Sequence, residues 1–179
     1  PNEPKNIRTR PSILLQKNGK NLLIDTSPDL KQQLINNKIN NIDAVFFTHE
    51  HADHTHGINE LTSINLIHRK IIPCFGHNQT MDKIVNSFNY LFENTNKSYY
   101  PAILSRNPYL AEDFDFFGIN IKLIRQNHGD IDSVGFIFDN KIAYNLDVKY
   151  FYDQDNYFKR IENIDHWIVG CLRIDPHIS

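Results

Sequence analysis

A dense group of histidines follows a short apolar run and constrains this chain more than any other feature. The chain has nine histidines in 179 residues, and four of them fall between His49 and His56. The preceding run, residues 44–47, predicts a strand that is covered on both faces. Such a strand holds the backbone rigidly while the polar side chains that follow it reach open space. We therefore expect these histidines to form one site at the end of a buried strand.

The spacing of the polar residues indicates a site for divalent metal ions. His49 and His51 are two residues apart, so in extended backbone both side chains point to the same side and can hold one ion. A turn after them can send Asp53 and His54 toward a second ion. Imidazole and carboxylate groups suit zinc, manganese and ferrous iron. The alternative is a polar surface loop that carries histidine by chance, although short His-rich tracts favour metal.

Composition narrows the remaining classes of protein. The formal net charge of −2 disfavours a general binder of nucleic acid or of anionic membranes. The fraction of hydrophobic residues is 40% and that of charged residues is 22%, which predicts a globular domain. The two cysteines, Cys74 and Cys171, each lie in an apolar run, so we expect small core residues and a reducing, cytoplasmic compartment. Membrane segments are not expected, because no apolar run approaches about 20 residues.

Apolar runs and turn signals predict an α+β fold with sheets inside and helices outside. Asn18-Gly19 lies between two apolar runs and predicts a hairpin, because both turn positions favour positive φ. Ser27 is the expected N-cap of a helix with Pro28 at its first position and an apolar face of Leu30, Leu34 and Ile35. Further strands are expected at 71–75, 119–124, 134–138, 141–145 and 166–171, helices around 81–92 and 152–161, and an irregular segment at 99–117.

The order His49-x-His51-x-Asp53-His54 resembles the signature of the metallo-β-lactamase superfamily. The longer form, from Thr48 to Gly57, is similar to one branch, the phosphoribosyl cyclic phosphodiesterases of phosphonate metabolism. Other stretches agree with that branch, at residues 8–14, 22–26, 28–30, 171–173 and 176–177, so the resemblance covers nearly the whole chain. It implies a metallo-β-lactamase-like αββα sandwich, in which two β-sheets pack face to face, helices cover both outer faces, and a dinuclear site lies at one edge.

The resemblance also implies the remaining metal ligands. His128 and Asp147, each after a predicted strand, match the expected positions. The first ion would be held by His49, His51, His128 and Asp147, and the second by Asp53, His54 and a bridging Asp147. For His128 the alternative is a loop histidine, and for Asp147 a turn residue. We expect a further histidine ligand beyond Ser179. We also expect a single domain over residues 1–179 that lacks segments at both ends.

Other polar residues are candidates for roles around the ions. Asp25 closes a predicted strand and either accepts the second N–H of a ligand histidine or is a plain turn residue. We expect catalytic roles for Asp53, His56 and His177, with one of the two histidines as the acid for the leaving group. Simple packing is the alternative for His56, and an exposed turn position is the alternative for His177.

The resemblance implies a hydrolase that uses two divalent ions, zinc first and manganese as the alternative. A hydroxide held between the ions would attack the substrate. We expect a small cyclic or sugar phosphodiester, with a thioester, lactone or lactam as the alternative substrate and an inactive metal-binding scaffold as the non-enzyme alternative. A small-molecule substrate is the expected partner, nucleic acid and membrane are disfavoured, and a homodimer stays open.

Overall fold

The computed structural model describes residues 3–94, 101–109 and 111–170. The chain divides into two compact units, Pro1–Pro108 and Tyr109–Ser179, and each unit is built on one mixed β-sheet. Across the described ranges, no helix combines the length and the apolar character that crossing a lipid bilayer requires. The histidine motif belongs to the first unit, whereas the two ligands expected from the second half of the sequence belong to the second unit.

The first unit contains a five-stranded sheet with the strand order β1-β2-β3-β4-β5. The first two strands are antiparallel and the other neighbours are parallel. Its strands are β1 (Ile13–Lys17), β2 (Lys20–Ile24), β3 (Ala44–Phe46), β4 (Ile72–Gly76) and β5 (Leu104–Pro108). Its helices are α1 (Leu30–Asn36), α2 (Ala52–Thr55), α3 (Leu61–His68), α4 (Asn78–Ser87) and α5 (Asn89–Phe92), with 3₁₀ turns at Pro4–Asn6 and Ile58–Glu60.

Two local predictions for this unit are confirmed. The hairpin turn between β1 and β2 has positive φ at both Asn18 (52°) and Gly19 (71°), as the Asn-Gly pair indicates. All three residues of β3 are buried, and so are the last three of β2, so these central strands are covered on both faces. One face packs against the helices through a shared apolar core, which includes Leu23, Val45, Phe47, Ile72, Cys74 and Leu104 from the sheet side and Leu30, Leu61, Ile64, Met81, Ile84 and Leu91 from the helices.

The start of α1 differs from the prediction. The helix begins at Leu30 with Asp29 as N-cap residue, so Ser27 does not cap it. Ser27 is completely buried, and its hydroxyl donates to the side chain of Gln33 at 3.0 Å. The carboxylate of Asp29 accepts from the backbone N–H of Arg10 at 2.7 Å. The helix start is therefore fixed by one contact within α1 and one with the segment around Arg10. Ile35, which was expected on the apolar face, is 60% exposed.

The second unit contains a six-stranded sheet in the order β10-β7-β8-β9-β11, with β6 also paired to β7. All pairs are antiparallel except that of β9 with β11. Its elements are β6 (Asp113–Phe116), β7 (Ile119–His128), β8 (Ile131–Phe138), β9 (Ile142–Asn145), β10 (Tyr150–Phe151), α6 (Gln154–Ile161) and β11 (His166–Val169). Tyr157 and Ile161 of α6 pack on Ile124, Ile137 and Ala143 of the sheet.

The segment expected to be irregular, 99–117, contains two strands, β5 and β6, in its described part. β6 alternates aspartate and phenylalanine, and its burial alternates in the same way, which is the pattern of a strand with one exposed face. β5 pairs in parallel with β4 along its whole length. The strand expected at 119–124 continues to His128, which places this histidine at a strand end instead of in a loop. Residues 95–100 and 110 lie outside the described residues.

Gly57 is the position in the first unit where a side chain is least tolerated. A Cβ at Gly57 would lie 1.9 Å from the carbonyl oxygen of Ser27 and 2.9 Å from the Cβ of Leu30. We expect Gly57→Ala to lower the free energy of unfolding by about 3 kcal/mol, because backbone must move. Gly19→Ala is the control, since a Cβ there meets no atom within 4 Å and the cost, about 1 kcal/mol, comes from its positive φ alone. Urea unfolding of both variants measures the difference, and equal losses would contradict this packing.

Candidate metal centre

Three histidines of the motif come together at the carboxyl end of β3. His49 follows that strand after two residues, His51 precedes α2, and His54 lies within α2. The ring centroids of His49 and His51 are 4.6 Å apart, and those of His49 and His54 are 4.3 Å apart. A ring nitrogen of His49 lies within 4.8 Å of one from each of the other two. His49 and His54 are buried and His51 is exposed, so the group reaches from the interior to the surface.

The buried carboxylate of Asp25 orients this group. Asp25 follows β2 directly, is 0% exposed and has a positive φ of 60°. Its Oδ1 accepts from the backbone N–H of Thr48 at 2.8 Å, and its Oδ2 accepts from the Thr48 hydroxyl at 2.8 Å. The Nδ1 atom of His54 lies 2.7 Å from the same Oδ2. Asp25 therefore contacts a histidine of the motif, which is the arrangement expected if its carboxylate accepts the second N–H of a ligand histidine.

These hydrogen bonds determine where the ring protons sit. A carboxylate is only an acceptor, so Nδ1 of His54 must be the protonated nitrogen that donates to Asp25. The Thr48 hydroxyl gives its single proton to Asp25 and therefore accepts from Nδ1 of His49, which lies 2.9 Å away. In its neutral form, each ring then presents the lone pair of Nε2. This is the tautomer that binds a metal ion while the other nitrogen is held by the protein.

Asp53 lies in the first turn of α2 and extends the group toward solvent. Its Oδ2 is 3.9 Å from Nε2 of His54, and its side chain is 38% exposed. This separation is within reach of one ion bound about 2 Å from each atom. The same carboxylate oxygen is 3.6 Å from Nη1 of Arg10. Imidazole nitrogens and a carboxylate oxygen together form a donor set that suits a divalent metal such as zinc.

Glu50, between the first two histidines, attaches this loop to α4. Its carboxylate accepts from the Thr80 hydroxyl at 3.0 Å and forms an ion pair with Lys83. Burial raises the pKa of Glu50, but the hydrogen bonds from Lys83 and Thr80 outweigh it, so the pKa lies below its ordinary value. The roles of Glu50 and Thr48 could not be predicted from the sequence, because nothing local in the chain indicates their partners.

His56 is exposed and has a different environment. Its ring lies edge-on to the ring of Phe88, with centroids 5.7 Å apart. Together with Glu50 and Lys83 it lines a cavity of about 300 Å³ beside the motif. This position is compatible with contact to a substrate and with plain packing, the two interpretations given above. His177, the other expected acid, and Cys171 lie outside the described residues, whereas Cys74 is a buried core residue whose thiol pKa is raised by burial.

In the second unit, His128 and Asp147 both lie at strand ends. His128 is the last residue of β7, and the next residues turn into β8 with the Asn127 side chain bonded to the N–H and C=O of Gly129. Asp147 follows β9 by two residues and has a positive φ of 48°. Its carbonyl oxygen accepts from the Ser133 hydroxyl at 3.0 Å. Both backbones are thus fixed by side chains of their own sheet.

A buried amide network supports the loop that carries Asp147. Gln126 donates to Ser133 at 3.0 Å and to the carbonyl of Leu146 at 2.6 Å. Asn145 donates to Gln126 at 2.9 Å and accepts from Tyr157 and from Trp167. Burial raises the pKa of the Tyr157 hydroxyl, which stays neutral in this network. This network could not be predicted from the sequence, because its members come from five different elements.

Replacement of Asp25 tests whether its carboxylate orients the histidines. Asp25→Asn puts an N–H₂ group against donors, so we expect affinity for zinc to fall about 10- to 100-fold, the usual effect of losing a group that orients a ligand histidine. Zinc affinity is measured by competition with a chromogenic chelator. An unchanged affinity in a folded variant would show that the histidines are oriented by other means.

Asp43→Asn is the matched control for that experiment. Asp43 is also a carboxylate with little exposure, because its side chain is 9% exposed. It accepts from the backbone N–H of Asn21 at 3.0 Å and pairs with Lys70 at 3.2 Å. Burial raises its pKa, but these contacts outweigh it and leave the pKa below the ordinary value. The variant should therefore lose stability at neutral pH, with a loss that shrinks as the pH falls through that lowered pKa. It should keep its affinity for zinc.

Comparisons with known proteins agree with this geometry. A family model described as "Beta-lactamase superfamily domain" matches residues 20–178. The crystal structure of a diphosphatase from the PhnP family covers 100% of this chain, with a TM-score of 0.86 and 26% identity, and the match spans 67% of that protein. The metallo-beta-lactamase fold protein YhfI from Bacillus subtilis covers 96% of this chain and is itself covered over 68%, with a TM-score of 0.70 and 19% identity, which shows a similar fold.

Two curated relatives are similar over most of this chain. An octanoyltransferase from Porphyromonas gingivalis is 32% identical over 146 residues, and a ribonuclease Z from Bradyrhizobium sp. is 27% identical over 139 residues. The matches cover 79% and 75% of this chain but 28% and 46% of the relatives, so the chain spans less than half the length of each. The predicted fold class is confirmed by two mixed sheets with helices and by the structural matches. The chain belongs to the metallo-β-lactamase superfamily.

Proposed function

We propose that this protein is a metal-dependent hydrolase that cleaves phosphodiesters of small molecules, including cyclic and sugar phosphates. The hydrogen-bonded array of Asp25, Thr48, His49 and His54 is the observation that carries the proposal, because it prepares two imidazoles for metal. Membership of the superfamily supports hydrolysis. The choice of phosphodiesters is supported by two relatives whose names, diphosphatase and ribonuclease, both denote cleavage of bonds to phosphorus.

The proposed site holds two divalent ions. His49, His51, His128 and Asp147 would bind the first, and Asp53, His54 and Asp147 the second, as the resemblance implies. Zinc is the proposed metal because imidazoles dominate the donor set, and manganese is the alternative. When bound, such a pair of ions would lower the pKa of water so that hydroxide is available as the nucleophile near neutral pH, and it would offset the charge of a phosphate. We also propose that residues 1–179 act as one domain.

The chain's own groups would prepare and protect this chemistry. Asp25 and Thr48 keep Nδ1 of His54 and of His49 protonated, so that neither ring turns its N–H toward the ions. Glu50 keeps the loop between His49 and His51 on α4. Burial of His49 and His54 excludes water from one side of the site, while the exposed His51 and the partly exposed Asp53 leave the other side open for a substrate.

A substrate panel tests the proposed function. Zinc-loaded protein is assayed with bis-p-nitrophenyl phosphate, with the lactam nitrocefin and with a thioester. We expect the highest kcat/KM for the phosphodiester and a loss of at least about 100-fold in His51→Ala, because one ligand is missing. His68→Ala is the control, since His68 is an exposed histidine of the same unit whose ring contacts the carbonyl of Asn40. Preferred hydrolysis of nitrocefin or thioester would support the alternative substrates, and bound metal without any turnover would favour a scaffold.

We further propose that His56 gives a proton to the leaving oxygen, a role that His177 could also fill. His56 is exposed beside a cavity, where a leaving group has room. In His56→Ala, the rate with a poor leaving group such as an alkoxide should fall about 100-fold, whereas the rate with p-nitrophenolate should change little. Equal losses with both leaving groups would exclude His56 as the acid. The same comparison applies to His177→Ala.

A further inference from the structure

Arg10 is held by its backbone beside the candidate metal centre. Its N–H donates to the carboxylate of Asp29 at 2.7 Å, and its carbonyl accepts from the side-chain amide of Gln33 at 2.8 Å. The same amide of Gln33 donates to the hydroxyl of Thr9 at 3.2 Å. Helix α1 thus fixes both polar backbone groups of Arg10, although the segment that carries it, residues 7–12, has no regular secondary structure.

The side chain of Arg10 reaches a proposed metal ligand. Its Nη1 lies 3.6 Å from Oδ2 of Asp53, the oxygen that is 3.9 Å from Nε2 of His54. The Arg10 side chain is 64% exposed and that of Asp53 is 38% exposed. The guanidinium therefore lies on the open, solvent side of the histidine group, where a substrate must approach.

Stability gives no reason for an arginine at this position. An ion pair between exposed groups contributes little to folding, and 3.6 Å is longer than a hydrogen bond. A guanidinium carries five N–H donors in a rigid fork, which matches the geometry of carboxylate and phosphate oxygens. Its placement therefore suits recognition of a phosphate bound at the ions.

We propose that Arg10 binds a non-bridging oxygen of the substrate phosphate and thereby selects anionic phosphodiesters over neutral esters. The inference rests on the proposed function for its substrate class. It rests on the structure for the position of the guanidinium. Asp29 and Gln33 hold the backbone of Arg10, and the carboxylate of Asp53 lies next to the guanidinium. Arg8 offers a matched comparison, because it is an exposed arginine two residues earlier in the same segment.

Binding and turnover are measured in parallel on zinc-loaded protein. Inorganic phosphate is titrated by calorimetry, and kcat/KM is measured with bis-p-nitrophenyl phosphate and with the neutral ester p-nitrophenyl acetate. In Arg10→Ala we expect phosphate affinity to fall about tenfold or more, and the ratio of kcat/KM for the diester to that for the ester to fall by a similar factor. Arg10→Lys should recover part of the loss, and Arg8→Ala should resemble the unmodified protein in both measurements.

Three outcomes would overturn the inference about Arg10. These are unchanged phosphate affinity in Arg10→Ala, an equal loss in Arg8→Ala, or a loss of bound zinc in Arg10→Ala, which would mean that Arg10 acts through Asp53. The proposed function fails separately if the unmodified, zinc-loaded protein does not hydrolyse the diester. In that case, phosphate binding that depends on Arg10 would still support the contact between Arg10 and an anion. Diester turnover that does not depend on Arg10 would support the proposed function and contradict the inference about Arg10.

Discussion

The buried carboxylate of Asp25 is the interaction on which the candidate site depends. Burial of a charge is costly unless hydrogen bonds satisfy it, and three donors converge on these two oxygens. The same contacts join the ends of β2 and β3 to α2. The N–H of Thr26 adds to this connection, because it donates to the carbonyl of His54 at 2.7 Å. Removing the charge would therefore disturb histidine orientation and local packing together.

Both units present a carboxylate in the same unusual way. Asp25 and Asp147 follow strand ends with positive φ, a conformation that aspartate tolerates better than most residues but that still costs energy. The supports differ, because Asp25 is held through its own carboxylate, whereas the backbone around Asp147 is held by neutral amides and hydroxyls. Asp147 is the residue that we propose as the ligand shared by both ions.

Local signals in the sequence predicted those elements that local physics determines. Asn18-Gly19 predicted its turn, the apolar run at 44–47 predicted β3, and the motif spacing predicted the grouping of the three histidines. Where distant partners decide, the sequence was insufficient. Asp29, which contacts Arg10, is the N-cap residue of α1 in place of Ser27, and β5 pairs with β4, about 30 residues earlier in the chain. The roles of Thr48, Glu50 and Asn145 depend in the same way on partners that the chain order does not indicate. In contrast, the alternation of aspartate and phenylalanine in β6 was a local signal from which this strand could have been predicted.

The most direct test of the metal site is the stoichiometry and ligand environment of zinc in the purified protein. Elemental analysis combined with X-ray absorption at the zinc edge measures both. The account predicts about two zinc ions per chain, with nitrogen and oxygen ligands at about 2.0–2.2 Å and the outer-shell pattern of imidazole. Sulfur ligands at about 2.3 Å, or no bound metal at saturating zinc, would contradict it.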